Sequence, residues 1–352
     1  MKKNYFLLVL WLGILLTITT ACGTSESSGE EEGTFEVGFA MRTLDSPYYV
    51  TLAELVEEFG EEQGWNVEVL DANGDTTKEA ENISTFISQG KDLIFVDAIE
   101  PDAVVSSINN AAEAGIPVIN LDSGVGEDAN DVTTVYSDNK QNGRLVGLAY
   151  GEHMGDDEIK AILLSGEKGS IGGWERRIGL YSGIIESRTD LSEDEAWDEA
   201  LDFEDSVLSR GSATHEDANF TIVGQGWGAW TAEKGLTEAE DMVTANPDIT
   251  TILGENDQML FGAMTALSNA GMTDVDMVAG ADGAKEAMDL IKEDEYFGTG
   301  LNSPFLVAEK GVEIAEEILV DGKDPDSYPD ITLTEAVGIT KENVDEYYDL
   351  GF

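Results

Sequence analysis

Cysteine is almost absent from this chain: one residue, Cys22, among 352. A single thiol excludes an internal disulfide and any metal or redox cluster built on cysteines. Histidine is nearly as scarce. His153 and His215 stand far apart, not at metal spacing. They support neither a zinc site nor a histidine-centred triad and read as structural or exposed. Cationic residues are also few, with 19 Lys and Arg against 72 Asp and Glu and a formal charge of −53. That leaves no broad basic face for nucleic acid or anionic lipid. Enzyme signatures are missing as well. No GxSxG elbow occurs, and Gly224-Gln225-Gly226-Trp227-Gly228 is neither a phosphate loop nor a dinucleotide fingerprint. Paired carboxylates abound only because acids abound. No repeat of solenoid period is found.

The acids are spread along the whole chain, which favours adaptation to a salt-rich medium over an acidic surface for cations. At high ionic strength the Debye length shrinks to a few ångströms and most self-repulsion disappears. Hydrophobic residues at 41% and aromatics at 8% allow sizeable cores, and the length suggests two domains.

The first residues form a leader. Lys2 and Lys3 precede an almost wholly apolar run from Tyr5 to Thr20, the pattern of an export signal spanning 1–21. Thr19-Thr20-Ala21-Cys22-Gly23 resembles the lipobox of bacterial lipoproteins, with Thr19 where leucine is usual. That resemblance implies cleavage before Cys22 and a lipid on its sulfur. A membrane-spanning anchor of about 16 residues is the competing reading and is short for a ~30 Å hydrocarbon core. Loss of 1–21 removes two lysines and no acid. Residues 22–34, containing TSESSGEEEG, have almost nothing to pack and read as a flexible tether.

From Phe35 onward short apolar runs alternate with amphipathic stretches. Phe35–Met41, Val67–Leu70, Leu93–Val96 and Pro117–Leu121 read as buried strands, with Tyr49–Gln63, Thr76–Gln89 and Pro101–Ala114 as helices between them. Ala80, Ile83, Phe86 and Ile87 fall on one helical stripe. Pro101 suits a first turn. Gly90 and Gly115 suit helix ends. This order predicts a parallel sheet with helices on both faces. The pattern restarts with strands at Ile159–Leu164, Phe220–Val223, Thr250–Leu253 and Met277–Ala281 and helices among them, so the expectation is an α/β protein of two similar doubly wound, Rossmann-like lobes. Thr299–Asn302, Pro304–Val320 and Ile331–Val337 return to complete both. Thr189–Asn219, acidic and weakly periodic, reads as an inserted loop or helix. Asp321–Asp330 lacks the glycine and terminal glutamate of a calcium loop and reads as a solvated connection.

Ligands of open α/β sheets sit beyond the carboxyl ends of strands. The residues after these strands are rich in Asn, Asp, Arg and aromatics, which suit a neutral polyhydroxyl ligand: planar groups serve vicinal hydroxyls, and aromatic faces cover C–H faces of a ring. The order and spacing of SPYYVTL, GIPVINLDS, the SDN at Ser137–Asn139, WERRIG, GENDQMLFGA and AGADG resemble the ribose-type, type 1 periplasmic sugar-binding proteins of ABC transporters. The resemblance runs from about Val37 to about Val337. It implies that Tyr48 and Tyr49 lie against the sugar and that Ser46 falls where the family often has Asn. Asp122 would accept from two hydroxyls, Arg176 would be the central arginine, and Trp230 would be the aromatic of the second lobe. Asn256, Asp282 and Asn302 would be the remaining polar ligands. Ser123 stands where ribose binders have Arg, and Arg42 where they have a small hydroxyl residue. That exchange implies an altered hydroxyl pattern. Asp257 reads as a helix cap outside the site, and Arg177 as a surface or salt-bridge residue.

The resemblance further implies two lobes joined by three crossings near Ser137, Asn302 and Ile331: 35–137 with 303–331, and 138–302 with 332–352. The expected protein is an extracytoplasmic, lipid-anchored, monomeric solute-binding protein for a monosaccharide or polyol. It would serve a membrane permease without a cofactor. A ligand receptor for a sensor or chemotaxis system is the alternative, and an exported hydrolytic enzyme a further one.

Overall fold

The computed structural model describes residues 34–352. The expected leader, Cys22 and the tether up to Gly33 lie outside the described residues. The first half of the chain runs β1 (Glu36–Met41), α1 (Pro47–Glu62), β2 (Asn66–Asp71), α2 (Thr76–Gln89), β3 (Leu93–Val96), α3 (Pro101–Glu113), β4 (Val118–Leu121) and β5 (Thr133–Tyr136). β3 and β4 are buried at every residue, which is why they read as unbroken apolar runs rather than alternating ones. Local chemistry sets the helix ends. Asp75 accepts from the backbone N–H of Thr77 and Lys78 to start α2, and Gly90 closes it at φ 70°. Pro47 and Pro101 occupy first turns, where a missing N–H costs nothing.

The second half runs α4 (Asn139–Met154), β6 (Ile159–Ser165), α5 (Ile171–Arg188), α6 (Glu193–Arg210), β7 (Ala213–His215), β8 (Phe220–Trp227), α7 (Ala232–Ala245), β9 (Thr251–Gly254), α8 (Asp257–Ala270), β10 (Asp276–Asp282), α9 (Lys285–Lys292) and β11 (Gly298–Leu301). Then α10 (Pro304–Leu319) and β12 (Ile331–Leu333) rejoin the first half, and β13 (Gly338–Thr340) and α11 (Val344–Tyr347) rejoin the second.

Two sheets result, ordered β12-β5-β4-β3-β1-β2 and β13-β11-β10-β9-β6-β8-β7. The first is parallel throughout. In the second, the edge strands β13 and β7 run antiparallel to their neighbours. Each sheet carries a core on both faces. Val37, Phe39 and Met41 of β1 pack toward α1 and α10, while Ala40 packs with Ile83 and Phe86 of α2. In the second sheet Ile162 and Leu164 face α7 and α8, and Ala161 and Leu163 face α4 and α5.

The chain passes between sheets three times: from β5 to α4, from β11 to α10, and from β12 to β13. β12 pairs with β5 through Leu333, so the third passage begins after Leu333 rather than at Ile331. Asn142, fully buried at the start of α4, touches all three passages. Its amide donates to the Ser137 hydroxyl (3.1 Å) and the Leu301 carbonyl (2.8 Å), and its carbonyl accepts from Val337 N–H (2.8 Å).

The stretch 189–219 is not an inserted loop. α6 is a full helix held by a Ser192–Glu195 capping box, and Ala196, Ala200, Phe203 and Val207 bury one stripe against α5. α4 and α5 pack backbone to backbone. A Cβ on Gly147 would come 2.4 Å from the Leu180 carbonyl oxygen, and one on Gly183 would come 2.1 Å from that of Arg144. Close approach fixes how far α5 projects toward the carboxyl ends of the strands.

Candidate functional site

Both sheets reverse strand order at the same place: β1 lies between β2 and β3, and β6 between β8 and β9. Such a reversal opens a crevice beyond the carboxyl ends. The loops after β1, β3, β4, β9, β10 and β11, together with α5 and the turn after β8, bring the candidate residues there.

On the first lobe, Tyr48 is buried and its hydroxyl donates to Asp122 Oδ1 (2.6 Å), with Asn302 Oδ1 farther off at 3.4 Å. Burial and the Asp122 charge hold the Tyr48 phenol well above its ordinary value, so it stays a donor. Asp122 takes a left-handed backbone, φ 64°, at the end of β4, a conformation aspartate tolerates. Tyr48 meets Tyr49 edge to face at 5.6 Å and Phe352 at 5.3 Å. The Arg42 guanidinium lies over the Tyr49 ring at 5.4 Å. Tyr48 is thus a hydrogen-bonding support as much as an apolar wall, and Tyr49 presents the stacking face. The Ser123 hydroxyl donates to Asp97 Oδ1 (2.9 Å) and the Ala98 carbonyl (2.8 Å). Ser46 is the N-cap residue of α1 and makes no side-chain cap bond.

On the second lobe, Arg176 is buried and already held. Its Nε donates to Asn139 Oδ1 (2.8 Å), and its Nη1 to Asp282 Oδ1 (3.1 Å) and the Glu255 carbonyl (3.3 Å). Burial opposes its charge, but Asp282, Tyr136, Asp122 and Glu255 outweigh that and raise its pKa. The pull of Asp122 acts between the lobes. Trp230 sits 5.6 Å from the guanidinium. Its indole rests on Gly166 and Gly173, where a Cβ would come within 2.1 Å and 3.0 Å. Asn256 serves this indole as well: its amide donates to the Trp230 carbonyl (3.3 Å).

Two sequence readings need correction. The N-cap of α8 is Asn256, whose Oδ1 accepts from Met259 N–H (3.1 Å), not Asp257. Asp257 is the first helical residue, and its carboxylate accepts from Gly283 and Ala284 N–H and the Tyr296 hydroxyl. Arg177 is no surface residue. It is 4% exposed and pairs with Glu204 (Nε to Oε1, 2.9 Å) and with Glu255 behind the site. Adjacent arginines therefore divide their work because 100° per residue turns them to different sides of α5.

The histidines lie elsewhere. His153 packs 5.0 Å from the Phe297 ring, and His215 Nδ1 accepts from Ala218 N–H. Among the described residues no cluster of three or more His, Cys, Asp or Glu side chains is placed to hold a metal ion. A cavity of about 520 Å³ beside the crevice, lined by Lys168, Trp174, Gln225 and Trp227, involves none of the eleven candidates.

Sequence reasoning left out three residues that shape the site: Asn139, Glu255 and Asp97. Asn139 ends the SDN signature and Glu255 lies inside GENDQ, so both were within motifs already noticed. Asp97 follows β3, the position where ligand groups are expected. It is fully buried, and burial raises its pKa well above the carboxylate range against the pull of Arg42. The assembled crevice opposes two guanidiniums, Arg42 and Arg176, to three carboxylates, Asp97, Asp122 and Asp282. An anion would meet net negative charge there, whereas neutral hydroxyls can both donate to and accept from this set.

A family model described as a periplasmic binding protein domain matches residues 37–324. The chain is 27% identical over 293 residues to a ribose import binding protein of Salmonella typhimurium, covering 83% of this chain and 88% of that one. It is 23% identical over 329 residues to a xylitol-binding protein of Mycolicibacterium smegmatis, covering 93% and 82%. Among solved structures it resembles an ABC transporter solute binding protein from Mycobacterium smegmatis with bound glycerol, with a TM-score of 0.70, 27% identity, and coverage of 91% and 98%.

Proposed function

The chain belongs to the periplasmic binding protein family, and from that premise we propose that it captures a monosaccharide or polyol between its two lobes and presents it to an ABC transporter permease outside the cytoplasm. The observation that carries this reading is the opposition across the crevice of Asp122, held by Tyr48, to Arg176, held by Asn139 and Asp282. Each group is oriented by its own lobe before a ligand arrives, so little ordering is left to the binding event. Ligand favours the closed state because both sets of groups reach it only there. The three passages that meet at Asn142 form the hinge. The family is one of binding domains rather than enzymes, and the curated relatives named above are binders of ribose and xylitol.

The finer reading adds a lipid on Cys22 as anchor, a monomeric body, and a surface adapted to salt. Delivery to a sensor or chemotaxis receptor would use the same closed state, and a ligand-dependent gain in ATPase activity of the reconstituted permease separates the two. Replacement of Cys22 by Ser should abolish acylation; a variant that still carries an acyl chain refutes the anchor. The binding function is tested by a thermal-shift screen of the chain without its leader, in molar salt, against pentoses, hexoses and polyols. A ligand at 100 times its Kd should stabilise the fold by about 2.7 kcal/mol. No shift with any of them would defeat the reading.

A further inference from the structure

The protein satisfies nearly every polar group of the crevice by itself, with two exceptions side by side on the first lobe. Asp97 is fully buried at the end of β3. Its Oδ1 is taken by the Ser123 hydroxyl, while its Oδ2 has no hydrogen-bond partner among the described residues. Arg42 ends the neighbouring strand β1, which pairs with β3 up to Ala40 and Val96. Asp97 N–H donates to the Ala40 carbonyl, so the two side chains start from adjacent strand ends. The Arg42 guanidinium stacks on Tyr49. It feels the charges of Asp97, Asp122 and Glu167 but makes no hydrogen bond or ion pair within 4.0 Å among the described residues. A buried carboxylate oxygen and a guanidinium left open beside one another are costly unless something else completes them.

We propose that Asp97 is a ligand-contacting residue that, with Arg42, selects a vicinal diol: one hydroxyl donates to Asp97 Oδ2 and its neighbour accepts from Arg42. Ser123 is what makes this work. Its hydroxyl clamps one carboxylate oxygen and thereby aims the other. A long basic side chain at that position would pair with Asp97 itself and close the subsite. The ligand class follows from the charges. A cation would duplicate Arg42, and an anion would lie beside Asp97 and Asp122, so the complement is a neutral donor–acceptor pair on adjacent carbons. This inference rests on the reading of the crevice as a sugar or polyol site and deepens it. A site built around a hydrogen-bonded hydroxyl rejects an analogue lacking it far more strongly than an apolar pocket rejects a missing methylene.

The test is a double-mutant-style cycle by isothermal titration. D-Ribose, D-xylose, D-galactose and xylitol are titrated into the wild type, followed by the monodeoxy analogues of the best binder. One analogue should bind at least a hundredfold more weakly than its parent. Asp97→Asn keeps the shape and the acceptor for Ser123 but offers an amide N–H in place of the free oxygen. It should bind the parent at least tenfold more weakly, bind the disfavoured analogue as the wild type does, and melt no lower than the wild type, because a buried unpaired charge is gone. Unchanged parent affinity and unchanged discrimination in Asp97→Asn would overturn the proposal while leaving the sugar-binding reading intact. A lowered melting temperature with unaltered affinity would assign Asp97 a structural role and also overturn it. A wild type that binds none of the four parents would remove both readings together.

Discussion

The two adjacent arginines of α5 should fail in opposite ways when removed. Arg177 is the shared cation of Glu204 and Glu255, whose side chains are 2% and 0% exposed. Alanine at 177 leaves two buried carboxylates without their counter-charge. Breaking a buried pair from one side costs about 3–5 kcal/mol. At roughly 2–4 °C per kcal/mol for a unit of 150–250 residues, the melting temperature should fall by about 6–20 °C. Affinity measured well below that temperature should change by less than about tenfold, because the guanidinium points behind the crevice. Arg176→Ala should do the reverse. It deletes charge-assisted bonds to ligand worth about 1.5–3 kcal/mol each, so losing a pair lowers affinity by roughly two to four decades. Its stability loss should be the smaller one, because Asp282, at 12% side-chain exposure, borders the crevice and can take up water. Differential scanning fluorimetry and isothermal titration on both variants, in molar salt, decide the matter. Should Arg177→Ala melt with the wild type, the Glu204–Arg177–Glu255 cluster does not carry the second lobe. Should Arg176→Ala bind normally, the crevice is not the ligand site.

Asn142→Ala should cost about 2–4 kcal/mol by removing three buried hydrogen bonds and leaving the Val337 N–H unpaired. It should also widen the spread of lobe orientations in small-angle scattering, and an unchanged scattering profile would show that Asn142 does not tie the hinge. With a formal charge of −53, the body should melt higher in molar salt than in 10 mM salt, where repulsion acts over ~30 Å; equal melting temperatures would sink the salt adaptation. Burial and the neighbouring Asp282 charge push the Asp257 carboxyl up to about 7. Its folded pKa thus exceeds its unfolded value, so its contribution to stability is full below about pH 4 and is lost as pH rises toward 7. Urea titrations from pH 4 to 8 should show a shallower decline for Asp257→Asn than for the wild type, and identical slopes would contradict the assignment.

Much of this architecture was legible in the order of residues, for local reasons. Strands buried on both faces must be apolar throughout, so β1, β3 and β4 announce themselves. Asp75, Pro101 and Gly90 mark helix ends through bonds and torsions within a few residues. Because ligand groups of such sheets follow the strands, most of the crevice could be named from position alone. α6 could have been read too: its capping box and its stripe Ala196, Ala200, Phe203, Val207 are local, but the surrounding acids concealed them. What only the tertiary structure decided depends on partners far apart in sequence. Whether Arg176 or Arg177 faces the crevice depends on α5's rotation, set by glycines of α4 meeting glycines of α5. Arg177 finds Glu255 78 positions away. Asn142 reaches Val337 across 195 positions, joining three passages that no periodicity connects. Asp97 became a candidate only when the sheet placed it beside Arg42 and left one of its oxygens without a donor. A side chain's neighbours along the chain determine which element it joins, but the charges and hydrogen bonds that give it a role come from whatever the fold packs against it.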